Sequence, residues 1–143
     1  MKRYRIALGA MLLLATGLIA FSAGVSVGQG QTTRVYELRT YTTLPGRLPA
    51  LNKRFAEHTI QLFEKHGMKS EVYWVPTDEP LKDNTLIYVI SHESREAADK
   101  NWKEFQADPD WIKVRDDSEA DGKILAKPPE RVFMMATVYS PRK

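Results

Sequence analysis

Apolar residues are not spread evenly along this chain; they switch several times between a period of two and a period near 3.6. Val35-Tyr36-Glu37-Leu38-Arg39-Thr40-Tyr41 alternates, with Tyr36, Leu38 and Thr40 on one side and Glu37, Arg39 and Tyr41 on the other. That pattern predicts a strand, and Pro45-Gly46 ends it. From Leu48 the spacing turns helical. Leu48, Leu51, Phe55, Thr59, Leu62 and Phe63 share one stripe, charged residues cover the rest, and Gly67 stands where a helix C-cap glycine belongs. Lys69 to Val75 predicts a second strand, with Val72 and Trp74 as its apolar phase and Glu71 and Tyr73 opposite. Thr85 to Ser91 is apolar in both phases, as in a strand covered on two sides.

Ser94 is a suitable N-cap for a helix whose inner stripe is Ala98, Trp102 and Phe105. Asp108-Pro109 restarts the chain as a third helix, expected to reach Asp121 before Gly122. Lys127-Pro128-Pro129 is a stiff connector, and Arg131 to Tyr139 predicts the last strand. The order strand, helix, strand, strand, helix, strand is that of an α+β, ferredoxin-like βαββαβ domain: a four-stranded antiparallel sheet with helices on one face. The uncovered face is apolar in two strands. A monomer rarely exposes such a patch, so the expectation is a homodimer that pairs two sheets around an enclosed space, a dimeric α/β-barrel.

The amino-terminal stretch follows other rules. Lys2, Arg3 and Arg5 precede Ile6 to Phe21, a run without charge, and small residues follow at Ser22, Ala23 and Gly24. A basic start, an apolar stretch and a small-residue exit compose a secretory signal peptide. The apolar run is shorter than the roughly 20 residues of a spanning helix, so cleavage, for instance after Ser22, is expected rather than anchoring. The expected organisation is residues 1–24 as signal peptide, 25–33 as a Gly/Gln/Ser/Thr linker and 34–141 as the domain. The protein is then exported, periplasmic or secreted, and membrane-bound only if the segment is retained.

Export changes the charge balance. All 21 basic residues against 18 acidic ones give a formal charge of +3. Three of those basic residues lie in the leader, so the domain itself is balanced and shows no basic face for nucleic acid. The chain has no cysteine, which removes thiol catalysis, thiolate metal sites, disulfide staples and a lipoprotein anchor.

Specific residues of this chain resemble those of the NIPSNAP family. They are Tyr36-Glu37-Leu38-Arg39-Thr40-Tyr41, Pro45-Gly46, Lys65-His66-Gly67, Asn84 before Leu-Ile-Tyr, Asp108-Pro109-Asp110-Trp111, and Tyr139-Ser140-Pro141. The resemblance spans roughly Arg34 to Pro141. It implies the dimeric α/β-barrel superfamily, which also holds small oxygenases, haem-degrading enzymes and polyketide cyclases. It supplies no reaction. Eukaryotic members are linked to mitochondria and vesicle traffic, and an export signal departs from that setting.

Candidate chemistry is sparse. With both polar strand phases turned into a dimer chamber, Glu37, Arg39, Tyr41, Glu71 and Tyr73 converge there, and Arg39 offers a two-pronged grip on a carboxylate or phenolate. The bland alternative is a structural ion pair of Arg39 with Glu37 or Glu71. His58 and His66 lie eight apart on the first helix, which does not suit helical zinc pairing; His58 at the edge of the apolar stripe is the candidate for a lone haem ligand. Trp111 is placed to cap the chamber or to pin the third helix, whereas Trp74 and Trp102 fall on core phases. Asp117 to Gly122 fails the calcium-loop pattern, because Pro128 stands where a bidentate Glu is required. No triad, phosphate loop or dinucleotide fingerprint is present.

Two classes of function remain from the residues: an exported module, without cofactor or metal, that binds a small apolar or aromatic ligand or a protein partner; and a small metal-independent oxygenase or cyclase-like enzyme acting on an aromatic substrate. In the second, Arg39 polarises a substrate oxygen and Tyr41 or Tyr73 donates a proton.

Overall fold

The computed structural model describes residues 34–141; the signal-peptide and linker assignments, 1–24 and 25–33, lie outside the described residues. Strands β1 (Val35–Thr42), β2 (Lys69–Trp74), β3 (Thr85–His92) and β4 (Glu130–Met134) form one sheet in the order β2-β3-β1-β4. Every neighbouring pair is antiparallel. Between β1 and β2 runs a helix in three parts: α1 (Leu48–Arg54), a π-helical segment (Phe55–Thr59) and α2 (Ile60–Lys65). Helices α3 (Arg95–Ala107) and α4 (Pro109–Ser118) separate β3 from β4. This is the βαββαβ plan that the periodicity predicts.

Local chemistry explains the boundaries. Ser94 Oγ accepts from the Ala97 N–H at 3.1 Å and starts α3. Asp108 accepts from the Asp110 N–H at 2.8 Å, and Pro109 sits at the first position of α4. Gly67 takes a φ of +71°, the left-handed turn that glycine allows after a helix. Within the π segment, Thr59 Oγ1 donates to the Arg54 carbonyl at 3.1 Å, giving a buried threonine a partner on the widened turn.

The core lies between the sheet and the helices. Tyr41, Leu86, Tyr88 and Ile90 from the strands meet Leu51, Phe55, Phe63, Trp102 and Phe105 from the helices, with Met68 and Ile124 closing the ends. Aromatic rings dominate it: Phe55, Phe63, Tyr73 and Tyr88 sit 5.2–6.0 Å apart in successive pairs.

Four expectations need correction. The last strand stops at Met134 rather than Tyr139, because its ladder runs from Thr40↔Glu130 to Tyr36↔Met134 and β1 begins at Val35, so almost no partner backbone is left. Helix α4 ends at Ser118 rather than Asp121; Arg47 grips the Asp121 carboxylate at 2.7 Å and the Gly122 carbonyl at 2.8 Å, holding that stretch in a turn. Trp74 is not a core residue. It is 52% exposed, on the sheet face away from the helices. Finally, β2 does not alternate regularly: Ser70 pairs with Ile90 and Val72 with Val89, which leaves Glu71 as an extra, bulged residue.

Candidate functional site

Strand alternation decides which side chains can meet. On β1, Val35, Glu37, Arg39 and Tyr41 are buried beneath the helices, while Tyr36, Leu38 and Thr40 face the other way. The polar phase of β1 is therefore the inward one, and this corrects the chamber expected from sequence. Its residues build a buried network instead.

Glu37, with no exposed surface, is the centre of that network. Its carboxylate accepts from Arg39 Nη1 at 2.9 Å, from Trp102 Nε1 at 2.6 Å and from His92 Nε2 at 3.0 Å. Asn101 fixes the tautomer of His92. The Asn101 Nδ2 donates to the Gly67 carbonyl at 3.1 Å, which only a donor can satisfy, and the same Nδ2 lies 3.4 Å from His92 Nδ1. His92 Nδ1 is thus placed to accept, and Nε2 to donate to Glu37. Burial pushes the Glu37 carboxyl upward, but hydrogen bonds from His92, Trp102 and Arg39 together outweigh it and hold the group below the ordinary carboxylate range.

The Arg39 guanidinium lies 4.3 Å from the centre of the Trp102 ring, a cation–π stack that keeps its plane fixed. Beyond it, Tyr88 donates to Tyr41 at 3.1 Å, and burial raises the Tyr88 phenol well above its ordinary value. A charge pair this enclosed, two residues apart on one strand, organises the core. The structural ion pair is the arrangement that the geometry displays for Arg39 and Glu37.

The remaining candidates lie apart. Tyr73 stacks on Tyr88 at 5.3 Å, and its hydroxyl pairs with Ser70 Oγ at 2.8 Å. Trp111 packs on Phe105 at 4.5 Å beneath Arg54, whose guanidinium is 5.4 Å from the indole; it pins α4 to the core. His58 has a half-exposed side chain near Glu57 and lines the groove between the π segment and α4. Among the described residues no group of three or more His, Cys, Asp or Glu stands close enough to hold a metal.

Of the seven candidates, Glu71 alone reaches the uncovered face. The bulge turns it there, its carboxylate accepts from Ser91 Oγ at 2.7 Å, and Lys69 lies 3.8 Å away. This face carries a groove of about 590 Å³. Tyr36, Val72, Trp74, Val89 and Met134 form its floor, Glu71 its polar edge, and Met135 to Thr137 with Ser140 its rim. Volume and lining fall in the range of small-ligand sites. Sequence reasoning missed Tyr36 and Trp74 here, and His92 and Asn101 in the buried network. The signal for the groove was the Tyr36-Leu38-Thr40 phase itself; for His92 it was a polar side chain at the end of a strand apolar on both sides.

An antiparallel βαββαβ sheet with helices on one face and an apolar groove on the other defines a ferredoxin-like α+β protein. The sequence matches the NIPSNAP family over residues 36–141, and the chain belongs to that family. None of the functionally curated proteins matches it. Among solved structures it is similar to a NIPSNAP-like domain protein of Burkholderia xenovorans, at 16% identity and a TM-score of 0.66, covering 77% of this chain and 90% of that one. A NIPSNAP family protein of Agrobacterium tumefaciens aligns at 22% identity and a TM-score of 0.65, over 78% and 95% of the two chains. SnoaB, a cofactor-independent oxygenase of Streptomyces nogalater, shares the fold at 15% identity and a TM-score of 0.50, over 76% and 98%.

Proposed function

We propose that this protein is an exported homodimer that binds a small apolar or aromatic molecule between two copies of its sheet. One observation carries this reading: the face opposite the helices bears an apolar groove rather than a solvated surface. Trp74, Val132, Met135, Val138 and Tyr139 are all large, apolar and at least half exposed, on that face or on the segment following β4. Left bare, such a surface is unfavourable by roughly 25 cal/mol for each Å² that a partner would cover. Glu71, held by the buried Ser91 hydroxyl, places one carboxylate at the groove edge, enough to orient a hydroxylated or amino-substituted ring. The leader-like segment supports export.

A second reading, a cofactor-independent oxygenase, draws support from the shared fold with SnoaB. In that reading the groove holds the substrate and Glu71 is the titratable group beside it. Arg39, Tyr41 and Tyr73 do not serve it, since they lie beneath the helices.

The test pairs sedimentation with binding of N-phenyl-1-naphthylamine, a neutral fluorescent arene. A dimer at micromolar concentration, and saturable probe binding weakened at least tenfold in Trp74→Ala, are expected. A stable monomer without saturable binding overturns the proposal. Dioxygen-dependent turnover of an aromatic substrate, lost in Glu71→Gln, establishes the second reading.

A further inference from the structure

The helix side of the sheet holds a second opening, about 420 Å³, between β4 and the C-terminal half of α3. Arg39, Arg131, Lys103, Gln106, Asp99 and Trp102 line it. Arg39 and Arg131 are directly opposed across the β1–β4 ladder, on one face of the sheet. Like charges so placed repel, and an anion set between or beside them would relieve that repulsion. Glu37 answers only part of this demand. It occupies Nη1 of Arg39, whereas the Arg39 Nε is buried without a hydrogen-bond partner although the side chain is only 10% exposed. Arg131 and Lys103 have no carboxylate within ion-pair distance among the described residues, and Asp99 is turned to Arg95 at 3.4 Å.

We propose that this cleft is a binding site for a small oxyanion, the carboxylate or phosphate group of a compact organic molecule. Trp102 holds the Arg39 guanidinium rigid from one side at 4.3 Å, so little freedom is lost when the fork meets an anion. Arg131 and Lys103 stand at the solvent end, where long cationic side chains steer an anion inward. The C-terminus of α3 opposes them with about half a negative charge, against two full unpaired positive ones. Gln106 adds a neutral donor, and the opening exceeds the size of an inorganic ion, which favours an anion carried on a small organic body. The site is separate from the groove on the opposite face of the sheet.

The test titrates the full chain with sodium benzoate and, separately, with methyl phosphate at constant ionic strength, following amide NMR shifts and Trp fluorescence. Saturable binding is expected, centred on α3 and β4, weakened at least tenfold by Lys103→Ala/Arg131→Ala and unchanged by Trp74→Ala. Both substituted positions are exposed, so that variant folds; Arg39→Lys, which keeps the charge and loses the fork, should weaken binding as well. Tighter benzoate binding assigns a carboxylate ligand, tighter methyl phosphate binding a phosphate ester. Shifts that follow sodium chloride alone, an undiminished affinity in the double variant, or loss of binding in Trp74→Ala would overturn the proposal.

Discussion

The Trp102 indole N–H donates to the Glu37 carboxylate at 2.6 Å, joining residues 65 positions apart through the middle of the core. That bond ties α3 to β1, and Arg39 and His92 fasten to the same carboxylate. The fold therefore carries a charge in its interior, held by donors from three elements.

Removing the charge is expected to be severe. Glu37→Gln keeps the shape but leaves the Arg39 cation buried without a counter-charge, a loss of about 3–5 kcal/mol. In a domain of this size that lowers the melting temperature by roughly 12 °C or more. Trp102→Phe deletes one donor and is expected to cost about 1–3 kcal/mol. Thermal and urea unfolding of both variants and of their combination give the coupling directly. Additive losses would show that the indole and the carboxylate do not act together.

Acid should unfold the protein through a defined set of carboxyls. Hydrogen bonds from Lys65 and His66, with the Asp110 N–H, hold Asp108 far below the usual carboxylate range, and Glu37 is lowered as well. A carboxyl lowered in the folded state binds protons less readily there than in the unfolded chain. Its stabilisation is complete above the unfolded value near 4 and is lost as pH falls through that value toward the folded one. The urea midpoint should therefore be flat above about pH 5 and fall steadily below about pH 4. A midpoint that rises on acidification contradicts this assignment.

Gly67 has two reasons to be glycine. Its φ is +71°, and a Cβ there would lie 3.3 Å from Asn101 Nδ2. Gly67→Ala is expected to lose about 1–2 kcal/mol from the left-handed backbone alone. It should also disturb the His92 ring, because Asn101 bridges the Gly67 carbonyl to His92. Calorimetry measures the first effect and the His92 imidazole NMR signals the second; an unchanged melting temperature counts against both.

Charge placed on the uncovered face should separate association from folding. Val132 is 55% exposed. Val132→Lys is expected to leave the stability of the single chain within about 0.5 kcal/mol, as exposed substitutions generally do, while abolishing dimer formation in sedimentation. A dimer that persists locates the contact elsewhere.

Sequence reasoning found the element order well and the site poorly, for identifiable reasons. Caps and breakers are local, so Ser94, Asp108-Pro109 and Gly67 mark their boundaries without tertiary context. Period-two alternation, in contrast, separates two faces without saying which one the helices cover. The sequence leaves Glu37 and Arg39 between a dimer chamber and a structural ion pair; charged residues seldom enter a core, and the Trp102 and His92 donors that make their burial tolerable meet Glu37 through no spacing that the sequence announces. The extra residue at Glu71 was illegible for a similar reason. A bulge is a relation between two strands, and β2 read alone alternates normally through it.

That extra residue has an implication for the architecture. Because Ser70 faces Ile90 and Val72 faces Val89, excising position 71 would leave these as consecutive rungs, with each neighbouring side chain still on its present side. The sheet can be assembled without it. What disappears is the acid group beside Ser91, so under the proposed function this position serves recognition rather than construction.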